Sequence, residues 1–304
     1  MPLPRPAHLC RSWLFVNGAE EDGLAAAPES GADVLIQELE DFTPPKLRPK
    51  AREIAAEMYR AWRGKGVVVG VRVNPLAGDG MDDLASVMRG APDIVALPKV
   101  AEPAHVLELD AAVTCFERDY GLPEGGTALL PNIELARGLV QTEALARASK
   151  RTVACLVASE DLAADLGAER GSDGIELAYA RQRFLVECVA AGVVAVDCPF
   201  TWRDARGVED DTRWARRLGY KAKSLVEPEH AAIVNRVLTP TAEEVARART
   251  VVAAFEAAQE AGEARVEIDG SMVEVPIYLN AKRLVARAEE LTGFSSGAIE
   301  QSDT

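Results

Sequence analysis

Short apolar runs rich in β-branched residues recur along the chain. Each is followed by a polar turn and then by a stretch whose apolar residues repeat at helical spacing. Residues 12–16 (SWLFV) form the first run, which ends at Asn17-Gly18 before a helical segment over 20–27. Residues 32–39 (ADVLIQEL) form the second, followed by Glu40-Asp41, the Pro44-Pro45 break and a helix over 51–62. Further runs follow over 67–73 and 93–97, then one ending in Asn-Ile-Glu134, and then others over 152–157, 192–196 and 221–226. Eight strands alternating with helices predict an α/β fold, a TIM (β/α)₈ barrel that closes near residue 230. An open doubly wound sheet fits less well, because no GxGxxG opens any of the helices.

The pattern changes after Thr239-Pro240. Residues 241–261 predict a helix, with Thr241 and Glu244 spaced as a capping box. Residues 265–275 predict a hairpin around Asp269-Gly270, and 277–291 a last helix. The expected organisation is therefore a catalytic barrel over 1–238 and a helix-hairpin-helix extension over 239–292, acting as a lid or an oligomer contact. A disordered tail is expected over 293–304.

Composition narrows the partners. The 304 residues, 48% of them hydrophobic, suffice for a full core, and a formal net charge of −14 argues against nucleic acid as the ligand. Five cysteines without CxxC spacing and three scattered histidines form no zinc pattern. No run approaches the length of a membrane span, and no signal core opens the chain. A cytoplasmic protein with no membrane partner is expected.

The strand ends carry the candidate chemistry. Glu134 and Asp161 occupy the same place in successive strand-loop-helix units, which in a barrel brings them to the mouth. As pure oxygen donors they suit a hard cation, Mg²⁺ first and Mn²⁺ second, although acids after a strand also serve as ordinary helix-start residues. Arg72 can grip a substrate carboxylate through its planar fork, or it can be a buried ion-pair partner of Glu38 or Glu40. Lys99 invites a Schiff-base role, but several acids nearby would hold its pKa up, which disfavours that chemistry. Arg11, Asn74, Ser159 and Glu160 are further candidate substrate contacts. Lys46, Arg48, Lys50 and Arg52 could grip phosphates or simply form a solvated helix start.

The motifs RSWLFVNG, LIQELED, VRVNP, LPKV, NIELARG, SEDLAADLG, ELAYARQR, VAVDCPF and IDGSMVEVP occur in this order. In order and spacing they resemble the citrate lyase beta-subunit-like (CitE-like) proteins of the HpcH/HpaI aldolase superfamily over about residues 11–291. The resemblance implies a Mg²⁺-dependent lyase that cleaves or forms a carbon-carbon bond in a hydroxyacyl-CoA thioester of the malyl or citramalyl type. A homo-oligomer, trimer or hexamer, is implied as well. It further implies Glu134 and Asp161 as metal ligands, Arg72 as the carboxylate clamp, and Glu38, Glu40 and Asp41 as groups that orient it. Glu274, in the C-terminal hairpin, would be a carboxylate supplied to a neighbouring subunit, or else a solvated one. Departures from the family pattern include Ala158 in place of a glycine, Glu38 for an aspartate, Val226-Glu227-Pro228 for Ile-His-Pro, and Glu274 for an aspartate. They bear on the substrate, since a methylene shifts a carboxylate by ~1 Å. The alternatives are an aldolase for a free hydroxy-keto acid and a subunit of a citrate lyase type complex.

Overall fold

Each of the eight runs becomes a strand in the computed structural model, which describes residues 3–300. The strands are β1 (Ser12–Asn17), β2 (Val34–Glu38), β3 (Val68–Arg72), β4 (Ile94–Leu97), β5 (Ala128–Ile133), β6 (Ala154–Val157), β7 (Val194–Asp197) and β8 (Ala222–Leu225). All pair in parallel in chain order, and β8 closes on β1 through Ser12↔Lys223 and Leu14↔Leu225. Helices α1 (Glu21–Ala26), α2 (Arg48–Arg63), α3 (Met81–Val87), α4 (Pro103–Asp119), α5 (Ala136–Leu139), α6 (Thr142–Arg147), α7 (Glu160–Leu166), α8 (Ala178–Ala191), α9 (Ala205–Leu218) and α10 (His230–Leu238) lie between and after them. Helix α2 starts three residues before the expected Ala51, because Pro49 in its first turn has no N–H to lose and is preset for helix.

Strand alternation divides the core into two shells. Trp13, Phe15, Val34, Ile36, Val68, Ile94, Ala96, Leu130, Leu156 and Val196 point inward and plug the lumen. Leu14, Leu35, Val69, Val95, Leu129 and Cys155 point outward against the helices. Burial on both faces explains why the strands read as unbroken apolar runs rather than as alternating ones. One inward step beyond the plug, toward the strand C-termini, the same parity places Glu38, Arg72, Asn132 and Ser224, all buried.

Direction along the strand corrects the expectation for Arg11. It precedes β1 and so lies at the N-terminal end of the barrel, away from the mouth. There its Nε and Nη2 each donate to Asp33 at 2.9 Å, and Arg5 reaches the same carboxylate at 2.6 Å. Asp197 is also withdrawn from the mouth. Arg181 donates to it at 2.6 and 2.8 Å and Lys223 at 2.8 Å, while Arg181 also reaches Asp211 at 2.7 Å. Two cations and two carboxylates thus balance in a buried network that joins β7 and β8 to α8 and α9.

The chain divides into two compact units, Met1–Leu238 and Thr239–Thr304. In the second, α11 (Ala242–Glu260) begins with a complete capping box, in which Glu244 N donates to Thr241 Oγ1 at 3.2 Å and Thr241 N to Glu244 Oε2 at 2.8 Å. The short strands β9 (Val266–Ile268) and β10 (Ser271–Val273) pair around Asp269-Gly270, whose φ angles of 52° and 75° suit a primed hairpin turn. Helix α12 (Val275–Glu300) packs on α11 with Tyr278 stacked on Phe255 at 4.7 Å. It overruns its expected end at Leu291: Gly293 costs a helix interior about 1 kcal/mol without stopping it, so the tail expected from 293 is helical as far as Glu300. Residues 301–304 lie outside the described residues. No helix among those described is long and apolar enough to cross a membrane.

Two variants test these assignments. Burial opposes the charge of Asp211, but Lys223 and Arg181 outweigh it and hold the carboxyl down from its ordinary 3.8 to about 2. Its stabilisation is therefore complete above pH 3.8 and lost as the pH falls through 2. Asp211→Asn is expected to cost about 3 kcal/mol in urea unfolding at pH 7, with the deficit shrinking below about pH 4. Arg11→Ala should cost about 1 kcal/mol, since Arg5 still pairs Asp33, and should leave ligand affinity in calorimetry unchanged.

Candidate active site at the barrel mouth

Glu38 ends β2 with its carboxylate turned back on its own chain. Oε1 accepts from Glu40 N at 2.6 Å and Oε2 from Phe42 N at 2.6 Å, which folds the acidic loop over the mouth. Gly18 permits this close packing, because a Cβ there would lie 2.5 Å from the Glu38 carbonyl oxygen. Oε1 of Glu38 also accepts from Arg72 Nε at 2.9 Å.

Arg72 holds the site together. Its Nη1 donates to Glu134 at 3.3 Å, its Nη2 stands 3.5 Å from Glu40, and Phe15 and Phe42 flank the guanidinium at 5.3 and 5.8 Å. Burial works against its charge, but Glu38, Glu134 and Glu40 more than offset that and hold its pKa above the ordinary arginine value. Of the two roles expected of Arg72, the structure contains the ion-pair one. It is a buried ion-pair partner, and it also lines a cavity of about 440 Å³ at the mouth. Of the five N–H groups of a guanidinium, two donate to carboxylates, one to Glu38 and one to Glu134, while Glu40 stands at ion-pair distance only.

The carboxylates around it are not fully compensated. Glu134 is wholly buried and its Oε2 has no hydrogen-bond partner. Burial pushes its carboxyl up to about 7 against the pull of Arg72, with Glu40 and Asp161 adding repulsion. Glu40 is raised as well, mainly by burial, with Arg72 and Lys99 opposing. Lys99 follows β4 with a left-handed φ of 53° and places its ammonium against Glu40, 3.6 Å from Asp41 and 4.0 Å from Asp161. Burial would lower its pKa, but Glu40 and Asp41 reverse the sign and hold it up. A lysine kept protonated is no amine nucleophile, so the site lacks the requirement for Schiff-base chemistry.

The remaining sequence candidates divide. Ser159 lines the cavity with its buried Oγ unpartnered, and Asp161 lines it from the first turn of α7. Glu160 also borders the cavity, but its carboxylate is tied to Thr201 at 2.8 Å and Arg170 at 3.2 Å. Asn74 is a loop holder: its Nδ2 donates to the Leu39 carbonyl at 2.9 Å and to Asp83 at 2.8 Å. Three of the four cations of the basic stretch are held in pairs, Arg48 on Asp79 at 2.8 Å, Arg52 on Asp83 at 2.7 Å and Lys50 on Glu21 at 2.5 Å. Glu274 lies in the second unit, between β10 and α12. Among the residues that the sequence did not single out are Phe15, Phe42, Thr201 and Ser224 in the cavity wall, and Asn132, whose buried amide has no partner at either end. The spacing 130, 132, 134 on β5 is the signal that would have found Asn132, since it shares the inward parity of Glu134.

Among the described residues no cluster of three or more His, Cys, Asp and Glu side chains could hold a metal ion. What the mouth offers is carboxylate oxygen from Glu134, just after β5, and from Asp161, in the first turn of α7, beside a fixed guanidinium and a cavity.

Comparison with known proteins identifies the family. The model of the HpcH/HpaI aldolase/citrate lyase family matches residues 11–228. The citrate lyase subunit beta of Leuconostoc mesenteroides subsp. cremoris is 32% identical, over 96% of this chain and 98% of that protein. The L-malyl-CoA/beta-methylmalyl-CoA lyase of Cereibacter sphaeroides is 29% identical, over 95% and 98%. The solved CitE protein of Mycobacterium tuberculosis, in complex with magnesium, acetoacetate and coenzyme A, superposes with a TM-score of 0.75 at 25% identity, over 93% of this chain and 99% of that one. By fold, by motif order and by sequence identity, the chain belongs to the HpcH/HpaI aldolase/citrate lyase family.

Proposed function

We propose that this chain is a Mg²⁺-dependent carbon-carbon lyase acting on a hydroxyacyl-CoA thioester of the malyl-CoA or citramalyl-CoA type. The observation that carries the reading is the buried Glu134–Arg72–Glu38 ion-pair chain at the wall of a mouth cavity. Malyl-CoA lyase is the name of one relative, and magnesium and coenzyme A are bound in another.

The residues fit the metal. Glu134 keeps one unpartnered, buried oxygen beside the one that Arg72 reaches, and burial outweighs the pull of Arg72 and pushes its carboxyl up to about 7, so its charge is only partly compensated. Two carboxylates are enough for Mg²⁺, which usually keeps several waters and takes further oxygens from the substrate. Glu134 and Asp161 would hold it, and when bound it supplies Lewis-acid polarisation of substrate oxygens.

The chain's own groups do the rest. Arg72 offers N–H groups that it does not spend on Glu38 and Glu134 to the carboxylate of the hydroxy acid, and Phe15 and Phe42 flank it. In the cleavage direction the hydroxyl proton leaves and the adjacent carbon-carbon bond breaks. A keto acid forms, and the electron pair passes to the thioester enolate, which is then protonated. Arg72, fixed in place before reaction, stabilises the developing charge without reorganising. Glu38, Glu40 and Asp41 hold Arg72 and the loop in register. Glu274 is proposed to move the proton in a neighbouring subunit of a homo-oligomer.

Turnover of malyl-CoA, citramalyl-CoA and the corresponding free acids, with and without EDTA, tests the reading. Thioester cleavage that EDTA abolishes and Mg²⁺ restores is expected; metal-independent cleavage, or turnover of free acids alone, would contradict it. Arg72→Lys is expected to lose about 10²-fold in kcat, because a point charge replaces a planar fork. Full-rate Glu274→Gln would remove that residue from the mechanism. The identity to citrate lyase subunit beta favours a second reading, a subunit of a larger lyase. Co-purification with acyl-carrier and transferase subunits, with little activity alone, would select it.

A further inference from the structure

Five carboxylates converge on the mouth: Glu38, Glu40, Asp41, Glu134 and Asp161. Arg72 and Lys99 are the cations that touch them. The two cations differ in kind. Arg72 is held on three sides by Glu38, Glu40 and Glu134 and clamped between two aromatic rings, whereas Lys99 carries its charge on a flexible four-carbon stem that is about one third exposed. Its ammonium reaches acids from two different loops, Glu40 and Asp41 after β2 and Asp161 after β6. That is the charge a divalent ion would otherwise supply, and one of those acids is a proposed ligand of the ion.

Lys99 also borders a second space. A cleft of about 180 Å³ lies on the other side of it, walled by Pro75, Leu76, Leu97 and Pro98 and carrying His105 and Glu108. Lys99 thus lines the cleft while its ammonium reaches the mouth acids. The side chain therefore has an alternative resting place, with a carboxylate in it.

Resting on the metal-dependent reading above, we propose that the Lys99 ammonium is a tethered cation that competes with the divalent ion for the mouth carboxylates. The ion exchanges it out into the cleft beside Glu108. Two positive charges cannot share the carboxylates at contact distance, so binding the ion and seating the ammonium are mutually exclusive. Lys99 then sets how tightly the ion binds, because every binding event must first displace it. It also keeps the acidic mouth compensated while no ion is there. Lys99 is a positioning residue in this scheme, and its effect is read in ion affinity.

The test is calorimetric titration of Mg²⁺ into the wild type, Lys99→Met and Lys99→Arg. Loss of the competing charge in Lys99→Met is expected to tighten Mg²⁺ by about tenfold or more. Lys99→Arg, which keeps the charge, should stay at or weaker than the wild-type affinity. Unchanged or weaker binding in Lys99→Met would overturn the exchange, as would equal tightening in both variants, which would signify crowding rather than charge. Wild type that binds no Mg²⁺, or binds it as Glu134→Gln does, would instead refute the metal site itself. A second readout needs no variant: acetic anhydride labelling with peptide mapping should find Lys99 modified severalfold faster at saturating Mg²⁺, and an unchanged rate would sink the proposal.

Discussion

A guanidinium buried among carboxylates governs this molecule. Placing Arg72 inside the barrel rim, at 7% exposure, would be prohibitively unfavourable alone, and each of Glu38, Glu40 and Glu134 would be unfavourable alone as well. Together they are tolerable, and the arrangement ties β2, β3 and β5 to one another at the end where ligands enter. The loop after β2, the aromatic flanks from Phe15 and Phe42, and the raised carboxyl of Glu134 all follow from where that charge sits. The compensation is incomplete. An acidic surplus remains at the mouth, and a site of that kind draws cations, from the chain itself or from solution.

The barrel uses its ion pairs in two ways. At the mouth, acids outnumber the bases and some oxygens lack partners. Between β7, β8, α8 and α9 the same kinds of side chain are matched two against two, closed by short hydrogen bonds and covered. The matched network keeps strands and helices in register. The unmatched one leaves carboxylate charge only partly compensated, and burial raises the carboxyls of Glu40 and Glu134 there.

The barrel was legible because lumen and helix-facing shells are both apolar, so each strand reads as an unbroken run bounded by polar turns. The acids Glu38, Glu40, Glu134 and Asp161 and the arginine Arg72 were legible because strand direction puts every run's end at the same rim. Arg11 misled because nearness in sequence to a strand was read without asking which end of the strand it occupied. Asn74 sits at the right end, yet Leu39 and Asp83 absorb its amide, and single-sequence spacing carries no information about such loop contacts. Asn132 went unnoticed because it stands inside an apolar run, where parity with Glu134 had to be counted rather than seen. The last helix exceeded its expected length because a lone glycine is a weak stop.

Gly18 contributes no charge, no hydrogen-bonding side chain and no contact with a ligand. Its missing Cβ is nonetheless what lets the β1 turn slide under the Glu38 carbonyl, and Glu38 in turn steers both the acidic loop and Arg72. Even alanine would push the peptide of Glu38 outward and carry the loop with it. Divergence within this barrel is therefore constrained at a position that no inventory of reactive groups would include. The space beneath the acids must stay empty for them to stand where they do.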